Sequence, residues 1–269
     1  MQRVRLACVQ YLNTVPLIEG LEKLEGVELI TEAPSRIAAL VEAGRADLGL
    51  ISVIDAARSH GRLTMLPVGM IGCDGHTLTV RLCSDVPMHR IRVVHADIES
   101  HTSVALCRVI LERVFGVRPG IEPFDLRAGH DWPETILVIG DKAVTLDAPA
   151  GRYQHEADLG RSWKDLTDLP FVYATWMCRT DELDTPRVRT AAMVLDRQRR
   201  RNATRLGWIV SARASSHGWS REHAGEYLGS VLRYRVGERE REAVARFLDE
   251  CLALDLLESP SHEWASLAW

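Results

Sequence analysis

Uncharged polar residues stand where apolar segments of this sequence end or where helical patterns begin. Asn13 and Ser52 each follow an apolar run, Thr77 opens an alternating run, and Thr102 and Ser103 begin a helical pattern. Helix N-termini carry unpaired N–H groups and the positive end of the helix dipole, so such positions suit a carboxylate. Taken singly, each residue could equally be a helix cap. Their convergence on one cleft would predict a site in which neutral donors hold a small organic anion.

Two charged residues and a histidine are further candidates for the same cleft. Asp141 and Lys142 come directly after Gly140, and a glycine at a strand end lets the backbone approach a ligand closely. A solvated ion pair is the alternative interpretation of these two residues. His101 is a candidate general base, because the neutral residues at the other strand ends are poor bases near neutral pH.

The sequence lacks the short motifs of several large enzyme classes. It contains no Gly-x-Gly-x-x-Gly, no Gly-x-x-x-x-Gly-Lys-Ser/Thr, no Gly-x-Ser-x-Gly and no His-Glu-x-x-His. These absences count against nucleotide hydrolysis, esterase chemistry and zinc proteolysis, and none of the 10 histidines has the spacing of a metal ligand. The cysteines lie far apart in apolar runs, which predicts reduced core residues. They are Cys8, Cys73, Cys83, Cys107, Cys178 and Cys251.

The composition is that of an ordinary globular protein with a slightly acidic balance. Of 269 residues, 46% are hydrophobic and 26% charged, and the formal net charge of -4 argues against a general nucleic-acid binder. The basic run Arg197–Arg201 lies in a helical pattern, which favours a solvated face paired with glutamates. No apolar run is long enough for a membrane span and no export signal is visible, so we expect a cytoplasmic protein.

Apolar periodicity predicts an α/β protein with two lobes. The first half alternates strands and helical patterns in the order β-α-β-α-β, which favours a parallel sheet covered by helices. A second α/β pattern starts after residue 84, and an almost wholly helical one starts after residue 178. We therefore predict a first lobe of residues 1–84 and 179–269, a second lobe of residues 85–178, and a double hinge near Ser84 and Met177. The amphipathic C-terminal helices could supply the face of a homodimer.

Seven segments of the chain form a recognisable series when their order and spacing are taken together. They are Tyr11-Leu12-Asn13-Thr14-Val15-Pro16-Leu17, Pro34-Ser35-Arg36-Ile37-Ala38, Gly44-Arg45-Ala46-Asp47-Leu48-Gly49-Leu50-Ile51-Ser52, Thr102-Ser103-Val104-Ala105-Leu106, Ile139-Gly140-Asp141-Lys142-Ala143, Asp158-Leu159-Gly160 with Trp163, and Leu169-Pro170-Phe171-Val172-Tyr173-Ala174 with Trp176. The series resembles the chorismate dehydratase family of the futalosine route to menaquinone. The resemblance covers about residues 3–180 by motif and the helical remainder by pattern. It implies a type II periplasmic-binding-protein-like fold with a helical C-terminal part.

The resemblance also implies a reaction. A hydro-lyase of this family converts chorismate to 3-[(1-carboxyvinyl)oxy]benzoate and water, driven by aromatisation of the ring and without a cofactor. Such an enzyme holds two carboxylates, orients the ring, and assists both removal of the C–H proton beside the ether oxygen and departure of hydroxide.

The implied roles of the site residues follow the same resemblance. Asn13 would lie against the reacting ring, and the substrate's own enolpyruvyl carboxylate would take the proton, with His101 as the alternative base. The helix that begins at Ser103 would anchor one carboxylate. The candidate substrate-binding residues are Ser52, Thr77, Thr102, Ser103 and Asp141. Whether Trp163 or Trp176 contacts the ligand or only packs is left open.

Two other functions compete with this interpretation. The 1,4-dihydroxy-6-naphthoate synthase of the same pathway shares the fold but opens with a Ser-Pro-Cys-Pro-Asn-Asp-type loop, where this chain has Tyr11-Leu12-Asn13-Thr14. That difference favours the dehydratase. A non-catalytic protein that binds small anions is the third candidate, although the missing export signal argues against a transport receptor.

Overall fold

The chain folds around two separate β-sheets with helices packed against them. A computed structural model describes residues 3–97, 100–125, 132–145, 151–258 and 262–266. The strands in these ranges are β1 (Val4–Cys8), β2 (Val27–Thr31), β3 (Leu48–Ser52), β4 (Leu63–Cys73), β5 (Val80–Ser84), β6 (Val93–Ala96), β7 (Gly120–Pro123), β8 (Thr135–Ile139), β9 (His155–Asp158), β10 (Phe171–Arg179) and β11 (Leu232–Arg233). The α-helices are α1 (Val15–Ile18), α2 (Pro34–Glu42), α3 (Val53–Arg58), α4 (His101–Phe115), α5 (Lys142–Thr145), α6 (Leu159–Thr167), α7 (Pro186–Ala203), α8 (Leu206–Arg213), α9 (Arg221–Glu226) and α10 (Glu238–Ala253).

The first lobe is built on a six-stranded sheet with the order β11-β4-β10-β3-β1-β2. β1 pairs in parallel with β2 and β3, which confirms the predicted β-α-β-α-β unit; Leu6 lies opposite both Leu29 and Leu48. Parallel strands end at the same sheet edge, so the segments that follow β1 and β3 meet there. This arrangement brings Asn13 and Ser52 to one side of the molecule.

The second lobe is built on a five-stranded sheet with the order β7-β6-β8-β5-β9. β6 pairs in parallel with β7 and β8, and α4 forms the connection from β6 to β7. β5 lies antiparallel between β8 and β9, with Leu82 opposite Leu137 and Ala157. The start of α4 therefore lies at the carboxyl end of β6, where parallel sheets commonly bind ligands.

The chain crosses between the two sheets earlier than the predicted boundaries at residues 84 and 178. β5 belongs to the second sheet and β10 to the first, so the crossings are residues 74–79 and 168–170. Alternating apolar residues predicted both strands, but a strand's partners are set by distant segments that local periodicity does not identify. A non-glycine residue has a left-handed conformation in each crossing: Leu78 has a φ of 62° and Asp168 a φ of 57°.

Trp163 and Trp176 are core residues and lie outside the cleft. Trp163 is 0% exposed, its indole N–H donates to the Pro170 carbonyl at 2.9 Å, and its ring packs edge-on against Phe171 and Phe247. Trp176 is 1% exposed and lies in a second apolar cluster behind the six-stranded sheet. Both tryptophans therefore pack in the core and are not among the residues that line the cleft.

The C-terminal part is helical, as its apolar spacing predicts. α7 begins at a Thr185 cap whose side chain accepts the Val188 N–H. Within its basic run, Arg199 and Arg200 pair with Asp196 at 2.6 and 2.7 Å, so the partner is an aspartate rather than the expected glutamate. The apolar spacing over residues 220–231 is typical of a single helix. The structure divides this stretch into α9 and a π-helical segment, Tyr227–Val231.

Asp47 ties the start of β3 to the first strand and to α7. Its carboxylate accepts the Arg5 N–H and the Arg187 guanidinium, both at 2.7 Å. Burial raises the pKa of Asp47, but these hydrogen bonds outweigh burial and leave the pKa below its ordinary value of 3.8. The ionised carboxylate therefore stabilises the fold.

Replacing Asp47 by Asn should lower the free energy of unfolding by about 1–3 kcal/mol near neutral pH, because charge-assisted hydrogen bonds are lost. Since the folded-state pKa is the lower one, this contribution is complete above 3.8 and is lost as pH falls through the folded pKa. Urea denaturation of wild type and Asp47→Asn between about pH 7 and pH 3 should show the gap closing toward acid. A gap that stays constant with pH would contradict this assignment.

Candidate active site

A cleft of about 790 Å³, open to solvent at its mouth, lies between the two lobes. Its walls come from both sheets, from the first crossing and from the C-terminal helices. We call it the interlobe cleft. Four of the six predicted site residues line it: Asn13, Ser52, Thr77 and Ser103.

Asn13 lies in a 3-10 turn, Leu12–Thr14, directly after β1. Its side-chain carbonyl accepts a hydrogen bond from the Thr14 hydroxyl at 3.1 Å. Neither this turn nor α1 uses the Asn13 side chain as a cap, because their N-cap residues are Tyr11 and Thr14. The capping role that the sequence left open for Asn13 is therefore not observed, and its amide faces the cleft.

The N-terminus of α4 forms a wall of the cleft in the second lobe. Ser100 is its N-cap, and both Ser100 and Ser103 line the cleft; the Ser100 hydroxyl donates to the Ser103 hydroxyl at 2.8 Å. The side chain of Ser100 makes no capping hydrogen bond to this 15-residue helix. Its first-turn N–H groups and dipole are therefore suited to an anion.

Thr102 is adjacent in sequence but is not brought to the cleft. It is 1% exposed, and its buried hydroxyl has no hydrogen-bond partner within the described ranges. Successive residues of an α-helix point about 100° apart, so Thr102 and Ser103 face different surroundings. The prediction that the Thr102 side chain binds substrate is therefore not supported by its placement, whereas Ser103 lines the cleft.

The first crossing is held by a carboxylate from the second lobe. Asp158 accepts the N–H groups of Thr77 at 3.0 Å and Leu78 at 2.8 Å, and it also caps α6. These contacts stabilise the left-handed conformation of Leu78 and place the Thr77 side chain in the cleft wall. The following Gly160 is required by close approach, because a Cβ atom there would lie 2.7 Å from the Gly75 carbonyl.

Asp141 is also not among the residues that line the cleft, contrary to the prediction that it binds substrate. Its two carboxylate oxygens accept the Leu12 N–H at 3.2 Å and the Trp219 indole N–H at 3.1 Å. Gly140 does line the cleft, and its φ of 70° turns the chain at that point. The carboxylate is thereby directed to protein donors.

Lys142 forms a half-buried ion pair with Asp97, and Asp97 lines the cleft. The solvated-pair interpretation of Asp141 and Lys142 is therefore wrong, since each has a different partner. Pairing with an ammonium group compensates the negative charge of Asp97. The cleft can then accept an anionic ligand beside this carboxylate.

His101 faces α3 of the first lobe. Its Nδ1 lies 2.8 Å from the carboxylate of Asp55, a residue that is 7% exposed. Ser100 and Ser103 line the cleft, whereas His101 is not among the lining residues. The structure thus gives this histidine an acidic partner at the lobe interface.

Two tyrosines line the cleft that the sequence analysis did not single out. The Tyr227 hydroxyl is 2.8 Å from the Thr79 hydroxyl and also interacts with the Asn13 side chain. The buried Tyr173 hydroxyl has no hydrogen-bond partner in the described part of the chain. Burial raises the pKa of both tyrosines, so both remain neutral donors. Each tyrosine stands in an apolar run of the sequence, so the sequence does not distinguish it from a core residue. π-Helical segments such as Tyr227–Val231 often occur at functional sites.

Within the described ranges, no group of three or more His, Cys, Asp or Glu side chains could hold a metal ion. None of the described helices is both long and apolar enough to cross a membrane. The interlobe cleft is lined by apolar side chains such as Leu50 and Ile139, by hydroxyl and amide groups, and by Asp97, which is paired with Lys142.

Among proteins of known structure, those with the same fold include binding proteins. Protein AF1704 from Archaeoglobus fulgidus superposes with a TM-score of 0.70 at 16% identity, over 95% of this chain and 98% of that one. The periplasmic aliphatic sulphonate binding protein SsuA from Escherichia coli gives a TM-score of 0.66 at 13% identity, over 97% and 95%. The predicted α/β fold of the periplasmic-binding-protein type is confirmed.

Sequence comparison is more specific than fold. The chorismate dehydratase of Thermus thermophilus is 27% identical over 262 residues, which are 91% of this chain and 93% of that protein. The sequence profile of the menaquinone biosynthesis family matches residues 4–253, which include every residue described above as lining the interlobe cleft. The chain belongs to the menaquinone biosynthesis family.

Proposed function

We propose that this protein is a chorismate dehydratase, converting chorismate to 3-[(1-carboxyvinyl)oxy]benzoate and water as a step of the futalosine route to menaquinone. The observation that carries the proposal is that Asn13 and the N-terminus of α4, with Ser100 and Ser103, share one cleft. The sequence similarity to a chorismate dehydratase supports the same activity.

Chorismate carries two carboxylates, and the cleft offers neutral donors from both lobes. The α4 N-terminus with Ser100 and Ser103 suits one carboxylate, and Ser52 and Thr77 lie in the walls around it. These groups are held by the fold before substrate arrives. They therefore orient the ring without large reorganisation.

The reaction removes one proton and one hydroxide from adjacent ring carbons. The C–H electron pair beside the ether oxygen becomes the new ring double bond as the C–O bond to the hydroxyl breaks, and proton and hydroxide together form water. We assign the proton acceptor to the enolpyruvyl carboxylate of the substrate, because Asp97 is paired with Lys142 and His101 is not among the residues that line the interlobe cleft. Asn13 contacts the ring and orients it for this intramolecular transfer.

Two further parts of the proposal concern the setting of the enzyme. A cytoplasmic location is supported by the cysteines, all six of which are unpaired and buried. We propose a homodimer through the C-terminal helices, where Met193 and Trp208 are 49% and 50% exposed. Light scattering of the purified protein tests the dimer by its molar mass.

Incubation of purified protein with chorismate tests the activity. We expect a new aromatic absorbance and a product with the mass of chorismate less one water. Consumption of the cyclic precursor of 1,4-dihydroxy-6-naphthoate in place of chorismate would identify the sister enzyme. A rise in melting temperature with chorismate but no turnover would identify a non-catalytic binder.

The pH–rate profile tests the assignment of the base. With a substrate carboxylate as acceptor, His101→Ala should leave the shape of the profile unchanged. An essential group titrating near about 6.5 that disappears in His101→Ala would make the histidine the base instead.

A further inference from the structure

The carboxylate of Asp141 joins three parts of the molecule that are distant in sequence. Asp141 follows β8 in the second lobe, Leu12 follows β1 in the first lobe, and Trp219 precedes α9 in the C-terminal part. One carboxylate oxygen accepts the Leu12 N–H at 3.2 Å and the other accepts the Trp219 indole N–H at 3.1 Å. We call these three residues the Asp141 clasp.

Both residues that donate to Asp141, Leu12 and Trp219, are connected to Asn13 through further contacts. Leu12 begins the 3-10 turn that contains Asn13, and the N-cap side chain of that turn makes no hydrogen bond to it. Trp219 stacks on Tyr227 with ring centroids 4.8 Å apart and planes 10° from parallel. The Tyr227 hydroxyl in turn bonds Thr79 and interacts with the Asn13 side chain.

The clasp also crosses from one lobe to the other. Any movement that separates Leu12 from the second lobe breaks its hydrogen bond to Asp141. His217, whose Nδ1 lies 3.8 Å from Asp141, is a further neighbour from the C-terminal part. The conformation of the Asn13 turn is therefore coupled to the relative position of the lobes.

We propose that Asp141 is a positioning residue, which fixes the Asn13 turn and the second lobe together so that Asn13 meets the reacting ring in the closed cleft. The inference rests on the proposed function. A carboxylate suits this task because its two oxygens accept two N–H donors at once. A role as substrate ligand is disfavoured, since a second anion would repel a dicarboxylate.

Asp141→Asn is the main test, because asparagine keeps the shape but replaces one acceptor by an NH2 donor. One of the two N–H groups then faces a donor. We expect kcat for chorismate to fall by about 10- to 100-fold with KM changed by less than about 3-fold, since a small misplacement of a catalytic group carries such a penalty. The matched control is Asp47→Asn, which removes a carboxylate from a backbone N–H far from the cleft and should lower stability while kcat is retained.

Trp219→Phe removes the indole N–H but keeps a ring that can stack on Tyr227. We expect kcat to fall by about 3- to 10-fold, and the double variant Asp141→Asn/Trp219→Phe to fall little further than Asp141→Asn alone, because both changes break the same clasp. Val114→Ala, at an exposed site near the end of α4, is the control and should leave kcat unchanged. Multiplicative losses in the double variant would mean that the two residues act separately.

Hydrogen exchange gives a readout that does not depend on activity. In Asp141→Asn the peptide containing Leu12 should exchange faster than in wild type, whereas Asp47→Asn should not change it. Unchanged exchange, unchanged kcat, or a rise in KM alone would overturn the positioning role. If wild type does not convert chorismate, the proposed function fails, and the exchange experiment still decides whether the clasp holds the turn.

Discussion

Asn13→Ala is expected to reduce turnover of chorismate by about ten- to a thousand-fold, the range observed when one positioned hydrogen-bond donor is removed from an active site. Asn13 lines the interlobe cleft, and its turn is held by Asp141 from the opposite lobe. Its side chain caps no helix but accepts the hydrogen bond of the buried Thr14 hydroxyl, so the variant should fold with a modestly lower melting temperature. Steady-state kinetics with thermal unfolding measured on the same samples checks both parts.

Asn13→Asp sharpens this test. The two side chains have the same shape, but at neutral pH the aspartate adds a negative charge against a dicarboxylate. We expect KM to rise in Asn13→Asp, whereas Asn13→Ala should mainly lower kcat. If Asn13→Ala turns over chorismate at the wild-type rate, Asn13 is not part of the mechanism.

Trp163→Ala is expected to have the largest effect on stability, a loss of about 3–5 kcal/mol in the free energy of unfolding. The side chain is 0% exposed, packs edge-on against Phe171 and Phe247, and donates to the Pro170 carbonyl. Alanine leaves a cavity beside the second crossing and an unpaired carbonyl. Denaturant unfolding monitored by circular dichroism measures the change.

Two variants control this measurement. Trp163→Phe retains part of the ring packing but loses the hydrogen bond, so its loss should be smaller. Val114→Ala shortens an exposed side chain and should change stability by no more than about 0.5 kcal/mol. Full stability of Trp163→Ala together with reduced turnover per folded molecule would instead make Trp163 a ligand residue.

The position of the crossings illustrates which features of the fold require non-local information. Val80–Ser84 and Phe171–Arg179 were both identifiable as strands from alternating or continuous apolar residues. The sheet to which each strand belongs was not identifiable, because the local pattern of β5 would allow it to pair with the strands of either sheet. The predicted boundaries consequently differ from the observed crossings by a whole strand at each hinge.

The residues of the candidate site also fall into two groups, those that local sequence rules predict and those that depend on the tertiary structure. Asn13, Ser52 and Ser103 follow a general rule, since segments after parallel strands and helix N-termini gather at one sheet edge. Thr102 obeys the same rule by position yet faces away, because its helix rotates it out of the cleft. Asp141 was predicted to bind substrate, but its carboxylate accepts N–H groups of Leu12 and Trp219 instead.

Element order, fold class and the polar residues after β1, after β3 and at the start of α4 could be derived from the chain alone, because they depend on periodicity and capping chemistry within short segments. The partners of Asp141 and the presence of Tyr227 beside Asn13 could not. Those contacts join residues at least 78 positions apart, and they exist because two sheets and a helical C-terminal part close on one another. Long-range packing therefore converts a series of local helix and strand ends into one cleft.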